Sequence, residues 1–314
     1  MIKTLTITER QLETWSHQGA IQTSATTYES IKNCIGKANW NDDVYYDIYL
    51  QGSYKNSTNI YGNSDVDIVV QFNSIYSYST EKLNETEKSY FKRDFEKAKY
   101  TLQSFKKAVI KRLKLCYGDD SVVVNDKSIL VKGNGSSRLD ADVVVCNPYR
   151  KYTSYSVNGN KNYIEGIVFE TETTNQRVIN FPKVHYDNGV IKNSQIKTLG
   201  NFKKIVRIFK NLKATMVSHG QIGKKVAPSY FVECLVYNAR NNHFKKYSYS
   251  PIIVDIINQF ASDILSGEIH NYVVQNEQRK LFGSGDQQWS VDNATIFVTQ
   301  LVKLWKKSGF NIQA

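Results

Sequence analysis

The sequence predicts an α+β chain in two parts, a mixed sheet with helices followed by a mainly helical half, and three observations carry that prediction. Short β-branched runs, "DVYYDIYLQ", "SDVDIVVQF" and "LDADVVVC", alternate with helical periodicity through the first part. Past residue 195 the strand pattern stops and apolar residues recur at helical spacing. At 314 residues the chain is too long for one comfortable core, so two domains are expected.

In chain order, residues 8 to 19 and 24 to 37 read as helices, and residues 43 to 51 as a strand leading into Gly52-Ser53. Residues 64 to 72 form a second strand. Residues 85 to 115 read as one long helix, in which Phe91, Phe95, Ala98, Leu102, Phe105 and Val109 mark a buried stripe and the lysines a solvated face. "SVVVNDKSILVKG" reads as a hairpin because two β-branched runs flank the turn-forming Asn125-Asp126. The polar loop "GNGSSR" then precedes the strand "LDADVVVC". Helices follow at 199 to 217, 226 to 241, 251 to 265 and 288 to 308. The boundary falls near 185 to 195, giving domains of 1–190 and 191–314. No internal repeat interrupts this pattern.

Apolar content of 41%, with 21 tyrosines against 4 prolines, is that of a folded globular protein. The cysteines Cys34, Cys116, Cys146 and Cys234 lie far apart without a CxxC or a Cys/His pair at zinc spacing, so neither a disulfide framework nor a structural zinc is expected. Reduced thiols in a cytoplasm fit that pattern. The N-terminal "MIKTLTITERQLETW" lacks a signal-peptide core, and no apolar run is long enough to span a bilayer, so no membrane partner is expected. The net charge of +12 implies a polyanionic partner: nucleic acid, an anionic surface or a nucleotide phosphate. Solvated helix faces account for many of the lysines, so charge alone leaves nucleic-acid binding open.

Asp65 and Asp67, two apart on a strand, project from one face, while Val66, Ile68 and Val70 point to the other. Side by side they repel unless a cation lies between them, and all-oxygen ligation suits magnesium or manganese. Upstream, Gly52 removes a side chain and Ser53 offers a hydroxyl, which lets a phosphate approach the backbone. Gly-Ser followed, 12 residues after the serine, by Asp-Val-Asp on a strand resembles the nucleotidyltransferase superfamily that includes polymerase beta and poly(A) polymerases. That resemblance implies a polymerase-beta-like core and a third acid on a neighbouring strand. Asp142, flanked by Ala141 and Val143, takes that place, with Asp140 on the same face as the alternative. Solvated acids at strand ends are the bland explanation of all three.

In the second half, "RVINFPKVHYDNGVIKNSQIKTLGNFKKIVRIFKNLKATM" with "APSYFVECLVYN" resembles the bacterial cGAS/DncV-like nucleotidyltransferases of CBASS antiphage operons, and within them the CdnE-like branch. The likeness runs from about residue 25 to 310, but the zinc-ribbon cysteines of the animal enzyme are missing. It implies a helical nucleotide-binding domain after the core, and an enzyme that joins NTPs into a cyclic di- or oligonucleotide messenger. Gly52 and Ser53 would then hold the triphosphate, and Asp65, Asp67 and Asp142 two magnesium ions, with manganese an alternative. Asn180 in "INFP" would contact a base, Tyr230 in "PSYF" would stack on one, and Ser229 would reach phosphate. On helix 199 to 217, opposite Phe202, Ile205, Val206, Phe209 and Leu212, Lys203 and Arg207 would meet the triphosphate tail. A solvated helix face explains the two cations as well, a core tyrosine explains Tyr230 as well, and His185 reads as structural.

An asparagine amide at 180 suits the uracil edge and also the adenine edge. The branch that the "INFP" context resembles implies acceptance of a pyrimidine there, so ATP and UTP are the expected substrates, with an all-adenine product as the alternative. A monomeric cytoplasmic enzyme whose product acts on a CBASS effector completes the expectation. Two rivals stand beside it: transfer of a nucleotide to RNA, a protein or a small molecule by the same acids, and a non-catalytic nucleic-acid-binding module resting on the positive charge.

Overall fold

The computed structural model describes residues 7–62, 65–95 and 101–308. Its elements run α1 (Glu9–Ser16), α2 (Ile21–Gly36), β1 (Tyr46–Leu50), α3 (Gly52–Asn56), β2 (Val66–Phe72), β3 (Ser77–Ser79), α4 (Glu85–Asp94) and α5 (Leu102–Tyr117). There follow β4 (Val122–Val124), β5 (Ile129–Val131), β6 (Ala141–Tyr155), β7 (Lys161–Glu170), β8 (Arg177–Asn180) and α6 (Pro182–Lys192). The chain continues with α7 (Gln195–Thr198), α8 (Phe202–Ser218), α9 (Ser229–Tyr237), α10 (Tyr249–Leu265) and α11 (Val291–Lys307).

Local chemistry explains where these helices start and stop. Thr8 caps α1 by accepting from the Gln11 amide, and Ser290 caps α11 by accepting from Asn293. Asn84 and Glu87 form a reciprocal capping box at the start of α4. The helix expected over 85–115 is divided: Phe95 turns extended at the end of α4, and Thr101 accepts from the Ser104 amide to begin α5. Of the expected stripe, Phe91, Phe105 and Val109 are buried and Phe95 is exposed, while Ala98 lies outside the described residues.

The described residues divide into two units. One contains 20–56 and 65–184, and holds the whole sheet. Its strand order is β1-β2-β6-β5-β4, with β3 and β7 also pairing β6 and β8 pairing β7. The long β6 makes this possible. Its first residues run parallel to β2 and antiparallel to β5, and from Asn147 onward it pairs with β7. β3, β7 and β8 were not among the expected strands. On one face of the sheet Val66, Ile68, Val70, Val143 and Val145 pack in one core with Ile31 and Ile35 of α2 and Val109 and Leu113 of α5. Val66, Ile68 and Val70 therefore point inward, away from the acids, as strand alternation requires.

Where reduced thiols were expected, Cys34 of α2 and Cys116 of α5 are joined by a disulfide, with Cα atoms 6.2 Å apart. The packing of α2 beside α5 brings together positions 82 apart in sequence, which linear spacing cannot reveal. Cys146 and Cys234 are buried free thiols.

The other unit contains 7–19, 57–62 and 185–308 among the described residues. Placing all of 1–190 in the core domain thus differs from the contacts made by α1 and by residues 57–62, which belong with the helices. The predicted stripe of α8, Phe202, Ile205, Val206, Phe209 and Leu212, is fully buried among Phe231, Leu235, Ile253, Ile257, Phe260, Phe297, Leu301 and Trp305. Leu12 of α1 joins that core. Among the described residues no helix is long and apolar enough to cross a membrane.

Candidate active site

Gly52 shows why its position takes no other residue. Its φ is +63°, and a Cβ built on it would lie 1.9 Å from Oδ2 of Asp67. The Gln51 amide also donates to the Asp67 carbonyl at 3.0 Å, so the β1–α3 corner is laid directly against that acid. Asp67 and Asp142 are Cα register partners in the parallel strands β2 and β6. Register partners in parallel strands share a face, and Asp65 joins that face two residues before Asp67. The Ser128 hydroxyl donates to Oδ1 of Asp142 at 2.8 Å and so fixes that carboxylate.

Asp140 has a different task. Its Oδ1 accepts from the Gly133 amide at 2.6 Å, and its carbonyl accepts from Val66 at 2.9 Å, which braces the loop before β6. The carboxyl of Asp65 is raised above the usual range, first by partial burial and then by the charges of Asp142 and Asp140. Burial together with Asp65 and Asp67 also raises the Tyr54 phenol. Negative charge is thus concentrated around one end of β2.

Among the described residues, no three acidic, histidine or cysteine side chains are gathered closely enough to hold a metal ion as they stand. The donor chemistry nevertheless fits a hard divalent cation. Asp65, Asp67 and Asp142 offer oxygen only, and the carboxyl of Asp65 is raised by burial first and then by the neighbouring acids, both of which a cation would offset.

Gly52, Ser53, the three aspartates and Asn180 all belong to the sheet-bearing unit, and Lys203, Arg207, Ser229 and Tyr230 to the helical one. Ser53 is half-buried in α3, and half-buried Asn180 ends β8 opposite Ile167 of β7. Lys203 is half-buried on α8 with Nζ 5.4 Å from the Tyr186 ring centroid, and its pKa is lowered, chiefly by burial. Ser229 is exposed at the start of α9, and Tyr230 beside it is 37% exposed.

Arg207 corrects the expectation placed on it. It is only 8% exposed, its Nε donates to the Ser16 carbonyl at 2.5 Å, and its Nη1 donates to the Ser57 carbonyl. Burial lowers its pKa to about 10, which still leaves it charged near neutrality. Helical spacing set Arg207 beside Lys203, but α1 and residues 57–62 cover that flank of α8, so its guanidinium ties backbone segments together.

A buried polar cluster was not anticipated. Glu233 Oε2 accepts from Lys210 Nζ at 3.1 Å and from the Thr58 hydroxyl at 2.8 Å, while Oε1 lies 3.0 Å from Nε2 of His185. Lys210 holds the Glu233 carboxylate well below the usual range despite the opposing effect of burial, and His185 adds to this. The available signal was Glu233 itself, an acid inside the apolar run "YFVECLVY".

Residues 187–306 match the model of the cGAS/DncV-like nucleotidyltransferase C-terminal helical domain. The cyclic nucleotide synthase CdnE01 of Staphylococcus haemolyticus is 36% identical over 306 residues, which is 96% of this chain and 100% of the relative. The cyclic UMP-AMP synthase of Rhodothermus marinus is 38% identical over 299 residues, covering 95% of this chain and 98% of that one. A solved structure of a Rhodothermus marinus CdnE c-UMP-AMP synthase with Apcpp and Upnpp superposes with a TM-score of 0.83 at 37% identity, over 98% of this chain and 99% of that one.

Proposed function

The chain belongs to the cGAS/DncV-like nucleotidyltransferases, and from that premise we propose that it condenses UTP and ATP into a uridine-containing cyclic dinucleotide. The observation that carries the reading is the pairing of Asp67 with Asp142 across parallel strands, with Gly52 laid against Asp67. The base assignment draws on Asn180 and on the relative named as a cyclic UMP-AMP synthase.

Asp65, Asp67 and Asp142 would hold two magnesium ions, or manganese, which when bound supply the positive charge that acidifies a ribose hydroxyl and screens the phosphates. Gly52 and Ser53 would hold a triphosphate, and Lys203, on the helical unit, is a candidate phosphate contact in its own right. Asn180 reads a base edge, Tyr230 stacks on a base, and Ser229 reaches phosphate. The ribose hydroxyl attacks the α-phosphorus in line, a P–O bond forms, and the bond to the leaving pyrophosphate breaks. The hydroxyl proton passes to a carboxylate oxygen of Asp67 or Asp142. Ser128 occupies Oδ1 of Asp142, which directs Oδ2 to that task. A second round at the triphosphate end of the linear dinucleotide closes the ring.

The enzyme acts as a monomer in the cytoplasm, and its product activates the effector of a CBASS antiphage operon. The test incubates purified protein and magnesium with labelled NTPs, singly and in pairs. A small phosphatase-resistant product containing UMP and AMP is expected. Label transferred to added RNA or protein instead, or no pyrophosphate release, overturns the reading.

A further inference from the structure

We infer that His185 is a positioning residue that fixes the plane of the Tyr230 ring and thereby sets the affinity for the stacked base, an inference that rests on the reading of Tyr230 as a base platform. The two rings are stacked, with centroids 5.3 Å apart and planes 26° from parallel. His185 is 5% exposed, so the imidazole forms a buried floor under a tyrosine that is itself partly open. Trp289 flanks the same tyrosine with centroids 5.8 Å apart, but tilted by 37°.

That floor is anchored at two points. Nε2 of His185 meets Glu233, which Lys210 and Thr58 hold in turn, and the His185 carbonyl accepts from Nε2 of Gln275 at 2.8 Å. Nδ1 is buried without a hydrogen-bond partner among the described residues. Polar satisfaction alone accounts poorly for an imidazole that leaves one nitrogen unpaired in the interior. The flat ring is what the position uses; close packing in the interior holds it at a fixed angle, and the link to Glu233 adds to the stability of the fold. A tyrosine on a fixed floor meets a base already oriented, whereas one free to turn must be ordered on binding, which weakens affinity.

The test separates ring from hydrogen bond. His185→Phe keeps the flat ring and loses the link to Glu233, and His185→Gln keeps a donor and loses the ring. Steady-state KM and kcat for each triphosphate are measured for both variants, for His185→Ala and for Tyr230→Ala, with thermal melts recorded alongside. Base–aromatic stacking is worth about 1–3 kcal/mol, so Tyr230→Ala is expected to raise KM roughly five- to hundredfold. His185→Ala and His185→Gln are expected to raise KM roughly tenfold with kcat within about twofold of wild type, which is part of the Tyr230 effect. His185→Phe is expected to melt lower yet keep KM within about twofold of the wild type, since the floor survives. A wild-type KM in His185→Gln overturns the inference, and should the phenylalanine variant not fold, that glutamine result decides alone. A high KM in folded His185→Phe overturns it also. An unchanged KM in Tyr230→Ala shows instead that the base-platform reading has failed.

Discussion

Asp67 of β2 and Asp142 of β6 are direct register partners in parallel strands, 75 residues apart in sequence (142 − 67). This pairing needs both strands in their present register, because a slip of one residue would turn either acid toward the apolar core formed by Val66 and Val143. Asp67→Asn and Asp142→Asn keep the volume and remove the charge. Each is expected to lower NTP turnover by roughly 10²–10³-fold or more, since several kcal/mol of transition-state charge stabilisation is lost. Pyrophosphate release measures the loss, and an unchanged circular dichroism spectrum shows that the fold persists. Near-normal turnover in either variant would remove that acid from the site.

Asp65 gives a pH-dependent counterpart. Its folded pKa lies above the ordinary aspartate value of 3.8, so between those two values the native state binds more protons than the unfolded state. Stability contributed by this group therefore falls as pH rises through that window, and the ionised carboxylate is a liability at neutral pH. Asp65→Asn is expected to melt higher than wild type at pH 7, with the difference vanishing as the pH drops to the ordinary aspartate range. A lower melting temperature at pH 7, measured without added divalent metal, would contradict the cost placed on the Asp65 charge by burial and by the neighbouring acids.

At Gly52 two costs coincide. An alanine there takes a left-handed φ and sets its Cβ into the Asp67 carboxylate. Gly52→Ala is expected to lose about 1–3 kcal/mol of stability in urea unfolding, and most of its turnover because Asp67 must move. A variant with wild-type stability and activity would show that the α3 corner is not seated against the acid.

The acids and Gly52 were legible because each leaves a local mark. Two-residue alternation places both acids on one face, and a glycine at the end of a strand marks close approach. Other features depend on contacts that no local pattern records. Arg207 has the same helical spacing as a solvated cation, and only the carbonyls of Ser16 and Ser57, far off in sequence, turn it inward. The disulfide requires α2 to lie beside α5. The break after Phe95 escaped because apolar periodicity continues through it, and the cap at Thr101 is a single polar residue within a lysine-rich run. β7 escaped because its first half is exposed and its second half is buried on both faces, so it never alternates cleanly.

Glu233 is buried and ion-paired, so removing its charge strands Lys210 inside the helical unit. Glu233→Gln is expected to cost about 3–5 kcal/mol at neutral pH. The folded pKa of Glu233 is depressed, so its stabilising effect is present above the ordinary glutamate range and is lost as pH falls through the folded value. The variant should therefore show a shallower loss of stability on acidification. Urea unfolding at several pH values measures both effects, and a loss under about 1 kcal/mol would mean that Lys210 finds other compensation.

The last prediction concerns base choice. Asn180 ends β8, half-buried, in the sheet-bearing unit that also carries the three aspartates. Its amide carries one acceptor and two donors, which matches the N3–H donor and O4 acceptor of uracil and also accommodates the adenine edge. A serine offers a single hydroxyl and cannot engage both groups at once. A bidentate contact discriminates by about 1–3 kcal/mol, so Asn180→Ser is expected to lower the preference for UTP over the other triphosphates roughly five- to hundredfold. The change should fall on base selection, because the acids and Gly52 are untouched. Competition among four NTPs, with the products separated and their nucleosides counted, reads the preference directly. An unchanged nucleoside ratio in the serine variant would take base selection away from Asn180, while leaving the two-acid site intact.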